Sequence, residues 1–316
     1  MVTQDVKYTS FCCTISDEYS DRLPTVFEYL NSLIPHKPIS QNEIKKWGLP
    51  ESWNSEKIEK QREYQIPYDL LNRFKIQAAP IELIRMKILD ETPDFVVISK
   101  PVKMHSLPQS YQETDNVLSE LRSMGRLDLL QVNRKSYERG LLFRIDFETS
   151  GLLIFAKSDY VYETVRNNFS RHMIKKEYVL ACSGLFKDQG TWIDRLVPFG
   201  EKGYMMKVLA PTVKDIRAVS AQLFYRTLFY DSSKNITWIA VRIATGARHQ
   251  IRVQFASRGF PIYGDKLYCP KENLADHVDR LHLHCFRYVV EWKGKHYTFV
   301  DQTWKAIQHF PPDFLK

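Results

Sequence analysis

Apolar and polar residues alternate along much of the chain after residue 80, which is the pattern of strands with one buried face. The segments that fit best are residues 81–88, 95–101, 175–184, 217–228, 236–244, 281–292 and 296–300. Residues 95–101 are almost continuously apolar up to Pro101, so we expect a central strand that is covered on both faces. The last two segments are separated by Lys293-Gly294 and predict a closing hairpin.

Fewer segments carry a helical period. It predicts helices over residues 21–34, 41–47, 116–124 and 159–171. Ser40 is the expected cap of the second helix, and Asp115 of the third. Residues 245–261 fit a strand or a helix equally, and residues 185–215 are expected to form loops and short strands.

The stretch over residues 140–157 is the most informative part of the chain. It predicts two short strands joined by a polar turn at residues 148–151. Because side chains on a strand alternate between faces, Arg144 and Asp146 would project together beside this turn. Two interpretations stay open: a preorganised charged pair at a reactive site, or a turn-capping carboxylate with an exposed partner.

Many strands and few helices, without regular βαβ alternation, predict an α+β fold with a mixed sheet. Residues 1–80 are expected to form a small, mainly helical appendage, and residues 81–316 the main domain. With 44% hydrophobic and 26% charged residues, the chain has the composition of a globular protein.

The net charge of the chain indicates which class of molecule it binds. A formal net charge of +8 indicates a polyanionic partner, with RNA, DNA or an anionic membrane possible, although a basic surface kept for solubility would look the same. The chain has no signal-peptide pattern and no run of 18 apolar residues, so we expect a cytoplasmic protein without a membrane span. Its five cysteines have no Cys-x-x-Cys spacing, which favours reduced thiols.

Several kinds of chemistry lack their sequence signature. No glycine-rich phosphate loop and no Gly-x-Ser-x-Gly motif is present. His282 and His284 would share one face of a strand, yet no neighbouring residue completes a metal site at a recognisable spacing, so we favour a packed pair and expect no metal.

Asp146 remains as the candidate reactive group, in a basic and aromatic setting. The cations near strand ends or turns are Lys100, Arg144, Lys175, Lys176, Arg248, His249 and Arg252. Basic side chains neutralise phosphates, and Tyr178, which shares a face with Lys176, would stack on an unpaired base. Each of these residues alone fits an ordinary surface charge or core ring, and only their combination indicates a nucleic-acid site.

Four blocks in order carry a family resemblance. In chain order, residues 97–101 end in Lys-Pro, and residues 143–157 contain Arg-Ile-Asp-Phe-Glu-Thr-Ser-Gly-Leu-Leu. Residues 175–181 contain Lys-Glu-Tyr, and residues 245–268 contain His-Gln-Ile-Arg and Gly-Asp-Lys-Leu-Tyr. These blocks resemble the motifs of RluA-type pseudouridine synthases. The similarity covers about residues 81–300, and the opening of the chain is similar to the small S4 RNA-binding module that often precedes this family.

The resemblance implies an isomerase that converts uridine in ribosomal or transfer RNA to pseudouridine without a metal or organic cofactor. It also implies a mixed, mostly antiparallel central sheet with flanking helices. Asp146 would be the nucleophile, with Tyr178 packing against the flipped base. Arg144, Lys100, Lys176, His249, Gln250 and Arg252 would bind RNA. A monomer is the expected state.

Two positions depart from the family pattern. Phe143 stands where the family has histidine, and Ala247 where it has the arginine that pairs with the catalytic aspartate. Three possibilities follow, in this order: an active enzyme in which Arg248 replaces that arginine, an active enzyme that uses another cation such as Lys100, or a catalytically impaired RNA-binding or assembly factor on the same fold.

Overall fold

The N-terminal region forms a small unit around its own apolar cluster. The computed structural model describes residues 8–12, 23–33, 39–59, 61–67, 76–109, 113–134, 136, 138–167, 174–269 and 278–307. Strands β1 (Tyr8–Cys12) and β2 (Glu63–Pro67) pair antiparallel, with helices α1 (Val26–Leu33) and α2 (Gln41–Trp47) between them in the chain. The buried residues of this unit do not mix with the main core. The division near residue 80 and the S4-like identity stay predictions.

Local chemistry explains the start of α2. The Ser40 hydroxyl accepts the Glu43 N–H, and the Glu43 carboxylate accepts the Ser40 N–H, so the two residues form a capping box. The predicted cap is confirmed.

A ten-stranded mixed sheet builds the main domain and confirms the α+β prediction. Its strands are β3 (Lys87–Glu91), β4 (Phe95–Lys100), β5 (Ser150–Ala156), β6 (Ile174–Ser183), β7 (Gln189–Phe199), β8 (Met205–Val208), β9 (Val219–Asp231), β10 (Ile236–Ile243), β11 (Leu283–Trp292) and β12 (Lys295–Val300). Their order is β3-β4-β5-β11-β6-β10-β9-β7-β8, and β12 also pairs with β11. The pairing of β5 with β11 is parallel, and the other pairs described are antiparallel.

Helices pack on this sheet and complete the core. They are α3 (Val117–Ser123), α4 (Leu127–Gln131), α5 (Asp159–Asn167) and α6 (Gln250–Ala256). Strand β4 is buried along its whole length although it lies second from the edge, because the sheet is covered on both faces there. Within the described residues no helix is long and apolar enough to cross a membrane.

The first arm of the predicted hairpin over residues 140–157 is shorter than expected. Residues 140–142 run beside β5, where the Leu142 N–H donates to the Ile154 carbonyl at 2.9 Å. From residue 143 the chain leaves the sheet as an extended segment, and β4 and β11 flank the start of β5 instead. The turn begins at Asp146, whose carbonyl accepts the Thr149 N–H at 3.1 Å.

The predicted strand over residues 81–88 is wrong in its first part, where a 3-10 turn (Ile81–Leu83) precedes β3. The buried carboxylate of Glu120 accepts the N–H groups of Arg85 and Met86 at 3.0 and 2.9 Å, which removes both donors from a strand ladder. The cap of α3 is Asn116 rather than Asp115, because the Asn116 side chain accepts the Ser119 N–H.

Two other segments differ from expectation. The region predicted as loops and short strands contains β7, an 11-residue strand whose side chains are half exposed and therefore show weak hydrophobic alternation. Residues 245–261 contain α6, a helix whose polar side chains are also buried, which explains why periodicity left its type open.

Candidate active site

Asp146 lies in the extended segment between residue 143 and the turn before β5, and contacts on both sides hold it in place. The Ser106 hydroxyl donates to the Ile145 carbonyl at 2.8 Å and accepts the Ile145 N–H at 3.3 Å. On the other side, the Phe147 carbonyl accepts the Met104 N–H at 3.3 Å. The side chain of Asp146 remains 27% exposed, so a fixed backbone presents an accessible carboxylate.

Lys100 supports the same segment from inside the domain. Its ammonium donates to the carbonyls of Pro101, Met104 and Phe147 at 2.9, 2.9 and 3.3 Å. Burial lowers the pKa of Lys100 from 10.5 to about 7, against the opposing influence of Asp146. A side chain this deeply placed does not reach a phosphate, and its contacts assign it to positioning the Asp146 segment rather than to holding RNA.

A pH-dependent stability should follow from this burial. At pH values below about 7 Lys100 is protonated in both the folded and the unfolded chain, and well above pH 10 it is neutral in both. Between these limits only the unfolded chain keeps the proton, so the free energy of unfolding gains up to about 1.4 kcal/mol per pH unit as the pH rises. Denaturant unfolding of wild type and Lys100→Met at pH values from about 7 to about 10 measures the difference in slope. Parallel pH curves would contradict the burial of a titrating amine.

The carboxylate opens into a cleft of about 660 Å³. Tyr178 on β6, Ile243 on β10 and Ile251 on α6 line it together with Asp146, so the predicted carboxylate and ring share one cavity. Burial raises the pKa of Tyr178 well above its usual value, which keeps the phenol neutral. A flat, mainly apolar wall next to a carboxylate is suited to a nucleobase.

Arg252 on α6 is the cation that faces Asp146. Its Nη1 lies 3.9 Å from Asp146 Oδ2, and its Nε and Nη2 donate to the two carboxylate oxygens of Asp265 at 2.8 and 2.7 Å. Asp265 is buried and also accepts the N–H groups of Leu267 and Tyr268. The guanidinium is therefore fixed by one carboxylate and turned towards the other.

Gly264 makes this arrangement possible. It has a φ of +78°, and a Cβ atom there would lie 2.1 Å from the carbonyl oxygen of Arg280. Only glycine lets the chain pass this carbonyl and present the next residue, Asp265, to Arg252. The contact between Asp265 and Arg252 therefore explains why glycine precedes aspartate in this motif.

Arg248 does not make the contact with Asp146 that the sequence predicts. Its Nη2 donates to the carbonyls of Gly203 and Met205, the latter at 3.4 Å, and the pairing with Asp146 falls to Arg252 one helical turn further on. Arg252 in turn is buried between two carboxylates, which leaves it unsuited to the phosphate contact expected of it.

His249 directly precedes α6 and Gln250 is its first residue, and both stabilise the turn that leads into this helix. The buried amide of Gln250 accepts from the Thr245 hydroxyl at 2.8 Å and donates to the Gln222 carbonyl at 3.0 Å, so protein contacts fix this residue in the lining of the cleft. Nδ1 of His249 lies 2.9 Å from the Tyr268 hydroxyl. Burial lowers the pKa of His249, so this ring is neutral at pH 7.

Of the remaining predicted cations, Arg144 is exposed at the cleft and Lys176 is buried in its wall. The Lys176 ammonium lies 4.1 Å from the centroid of the Phe143 ring, and burial lowers its pKa to about 8. Phe143, the position where the family pattern has histidine, thus supplies a ring face to a buried lysine.

The histidine pair is packed and hydrogen-bonded. His284 lies between the Ser150 hydroxyl at 2.8 Å and the Asp301 carbonyl at 3.1 Å, and His282 lies 3.2 Å from the Arg280 carbonyl. Burial lowers the pKa of His282 to about 4. In the part of the chain that the structure describes, no group of three or more metal-binding side chains comes together.

Three residues of the site had no role assigned from the sequence: Ser106, Asp265 and Tyr204. Asp265 lies inside a quoted motif, so its Gly-Asp spacing was a usable signal. Ser106 and the exposed ring of Tyr204 sit in segments without periodicity or motif, and only the folded chain brings them to Asp146.

The chain is similar in sequence and in fold to several known proteins. Residues 94–257, a little over half of the chain, match the family described as RNA pseudouridylate synthase. The chain is 28% identical over 187 residues to ribosomal large subunit pseudouridine synthase D of Haemophilus influenzae, covering 59% of this chain and 54% of that protein. It is 28% identical over 207 residues to the uncharacterized RNA pseudouridine synthase YlyB of Bacillus subtilis, covering 66% of this chain and 64% of that protein.

The matched regions span between 40% and 64% of the length of the first curated relatives. Among solved structures, human RNA pseudouridylate synthase domain containing 1 superimposes with a TM-score of 0.57 at 17% identity, covering 71% of this chain and 85% of that one. Human RNA pseudouridylate synthase domain containing 4 gives a TM-score of 0.53 at 20% identity, covering 70% and 90%. These two likenesses show a shared fold.

Proposed function

Because the chain belongs to the RNA pseudouridylate synthase family, we propose that it isomerises uridine in RNA to pseudouridine with Asp146 as the nucleophile. The observation that carries the proposal is the position of one accessible carboxylate, on a braced backbone, in the same cleft as Tyr178 and beside a fixed guanidinium. These are the parts that covalent catalysis on an extruded nucleotide needs.

The reaction exchanges one bond to the sugar for another. The bond from C1′ to N1 breaks, a bond from C1′ to C5 forms, C5 loses a proton and N1 gains one. Substrate and product have the same atoms, so no oxidant, reductant or group donor is required. Asp146 attacks the nucleotide at C1′ or at C6 of the base and forms a bond to it. The detached base turns against the neutral ring of Tyr178 and reattaches through C5, and the bond to Asp146 breaks before the product leaves.

In the proposed mechanism, Arg252 helps to position the Asp146 carboxylate for this attack. The guanidinium lies 3.9 Å from the carboxylate, and its ion pair with Asp265 prevents it from closing fully onto the nucleophile. In this proposal Arg252, rather than Arg248, takes the part of the arginine missing at Ala247. Arg144, exposed at the cleft, is the predicted cation best placed to hold the opened RNA.

Replacing Arg252 with lysine should separate the effect of its positive charge from the effect of its two-bond contact with Asp265. Lysine keeps the charge but has no planar fork to bind Asp265 through two bonds, so we expect kcat to fall by about a hundredfold, with RNA affinity changed much less. Single-turnover assays and RNA binding by filter retention measure the two quantities. The control is Arg258→Lys, because Arg258 also pairs with a carboxylate, Asp194, on the same part of the chain outside the cleft lining. Equal losses in both variants would contradict a role at Asp146.

The substrate RNA is proposed as ribosomal or transfer RNA, the protein as a monomer, and its compartment as the cytoplasm. The net charge of +8 supports an RNA partner, and the odd number of cysteines without Cys-x-x-Cys spacing supports a reducing compartment.

The decisive test is a map of pseudouridine across total RNA from cells with and without this gene. At least one site is expected to disappear when the gene is deleted and to return with the wild-type gene but not with the Asp146→Ala variant. If no site changes while purified protein still binds RNA in a salt-dependent way, the alternative of a non-catalytic RNA-binding or assembly factor is correct.

A further inference from the structure

Tyr204 is a large aromatic side chain that the fold leaves in solvent beside the nucleophile. It follows the 3-10 turn Glu201–Gly203 between β7 and β8, and 67% of it is exposed. It lines the main cleft and also a second cleft of about 240 Å³. Both clefts include Asp146 and Arg252, so Tyr204 stands where the two meet.

The backbone on both sides of this ring is tied down. Arg248 donates to the carbonyls of Gly203 and Met205, the residues directly before and after Tyr204. The Met206 N–H donates to the Tyr268 hydroxyl at 2.8 Å, and that hydroxyl also contacts His249. Arg248 and Tyr268 thus anchor a turn that would otherwise be free to carry an exposed ring away from the site.

Core packing does not explain the placement. The rings of Tyr204 and His249 meet edge to face with centroids 6.4 Å apart, and most of the Tyr204 side chain is exposed to solvent. An exposed ring on a fixed backbone loses little conformational entropy when a second flat group stacks on it.

The composition of the second cleft indicates what that group is. Its basic residues Lys103, Arg252, Lys266 and Arg280 equal in number its acidic residues Asp146, Glu148, Asp265 and Asp279, and His249 is neutral. A cleft without excess positive charge is poorly suited to a phosphate. Apolar side chains, Phe147, Leu267 and Leu281, complete its lining and suit a base.

We propose that Tyr204 stacks on the base next to the target uridine and that the second cleft receives this neighbouring base. The inference rests on the proposed function, because it takes the uridine to be in the main cleft with Asp146. A stacked neighbour resists the return of the uridine to its own stack, so Tyr204 contributes to holding the RNA open and to the choice of flanking base.

The test compares Tyr204→Ala, Tyr204→Phe and Tyr160→Ala with wild type. Tyr160 on α5 is also 67% exposed and packs near Trp292, away from both clefts, which makes it a matched control. The activity probe is total RNA from cells that lack this gene. The binding probe is an RNA hairpin around a uridine modified in that RNA, with 2-aminopurine as its neighbour on one side or the other.

We expect Tyr204→Ala to lower kcat/KM about five- to hundredfold, and Tyr204→Phe and Tyr160→Ala to stay within about twofold of wild type. The fluorescence of 2-aminopurine on one side of the uridine should be quenched by wild type and Tyr204→Phe but not by Tyr204→Ala. Unchanged kcat/KM and quenching in Tyr204→Ala, with wild type active, overturn the stacking role alone. A wild-type protein that modifies no uridine in the RNA probe overturns the proposed function and this inference together.

Discussion

The Asp146→Ala variant is expected to form pseudouridine at least about a thousandfold more slowly than wild type while it keeps most of its RNA affinity. The loss is large because Asp265, the other carboxylate paired with Arg252, is buried and engaged and cannot take the place of Asp146. Affinity survives because contacts between cations and phosphates supply most of the binding free energy.

The fold should also survive this change. Arg252 keeps its two bonds to Asp265 when Asp146 is removed, so no buried charge is left without a partner. Thermal unfolding separates loss of activity from loss of structure, and Asp90→Ala, at an exposed carboxylate on β3, is the control for charge alone. Product formation by Asp146→Ala at a rate near that of the control would show that the nucleophile is another group.

The Gly151→Ala variant should be destabilised by more than about 3 kcal/mol, beyond what strained backbone alone costs. Gly151 has a φ of +116° and lies between β4 and β11, where an added Cβ would be 2.2 Å from the backbone oxygen of Cys285. Because that atom belongs to a central strand, no flexible side chain can move aside, and β5 or β11 must shift.

Gly125→Ala provides the matched comparison. Gly125 also has a positive φ, +75°, but no atom lies within 4 Å of the added Cβ, so only the left-handed backbone is penalised, by about 1–2 kcal/mol. Denaturant unfolding of the two variants gives the difference. Similar losses would mean that the close approach of β5 and β11 is unimportant for stability.

Sequence pattern predicted the long elements well where local rules decide the structure. The α+β class and the strand over residues 95–101 are confirmed because their hydrophobic patterns reflect burial directly. The capping box of Ser40 is confirmed because its partners lie within four residues.

Prediction failed where a distant side chain controls the backbone. Glu120 removes the donors of Arg85 and Met86 from a ladder, and no periodicity near residue 81 reports this. The first arm before Asp146 leaves the sheet because β11, from a remote part of the chain, takes the place beside β5.

The candidate site divides in the same way. Asp146 and Tyr178 carry motif signals and share the cleft. Lys100 and Arg252 contact other protein groups because they are buried. The sequence shows that these residues are basic but does not show that they are buried. Arg248 was expected at the carboxylate because it adjoins Ala247, but the helical turn brings Arg252 there instead.

The parallel pairing of β5 with β11 has a consequence for how the protein is made. Ser150 and His284, hydrogen-bonded at this junction, are separated by 134 positions in the chain. A ribosome must therefore synthesise β11 before the two halves of the sheet can close, and bridging so long a loop has a high entropic cost. Asp146, four residues before Ser150, consequently acquires its finished surroundings late in folding, after nearly all of the strands have left the exit tunnel.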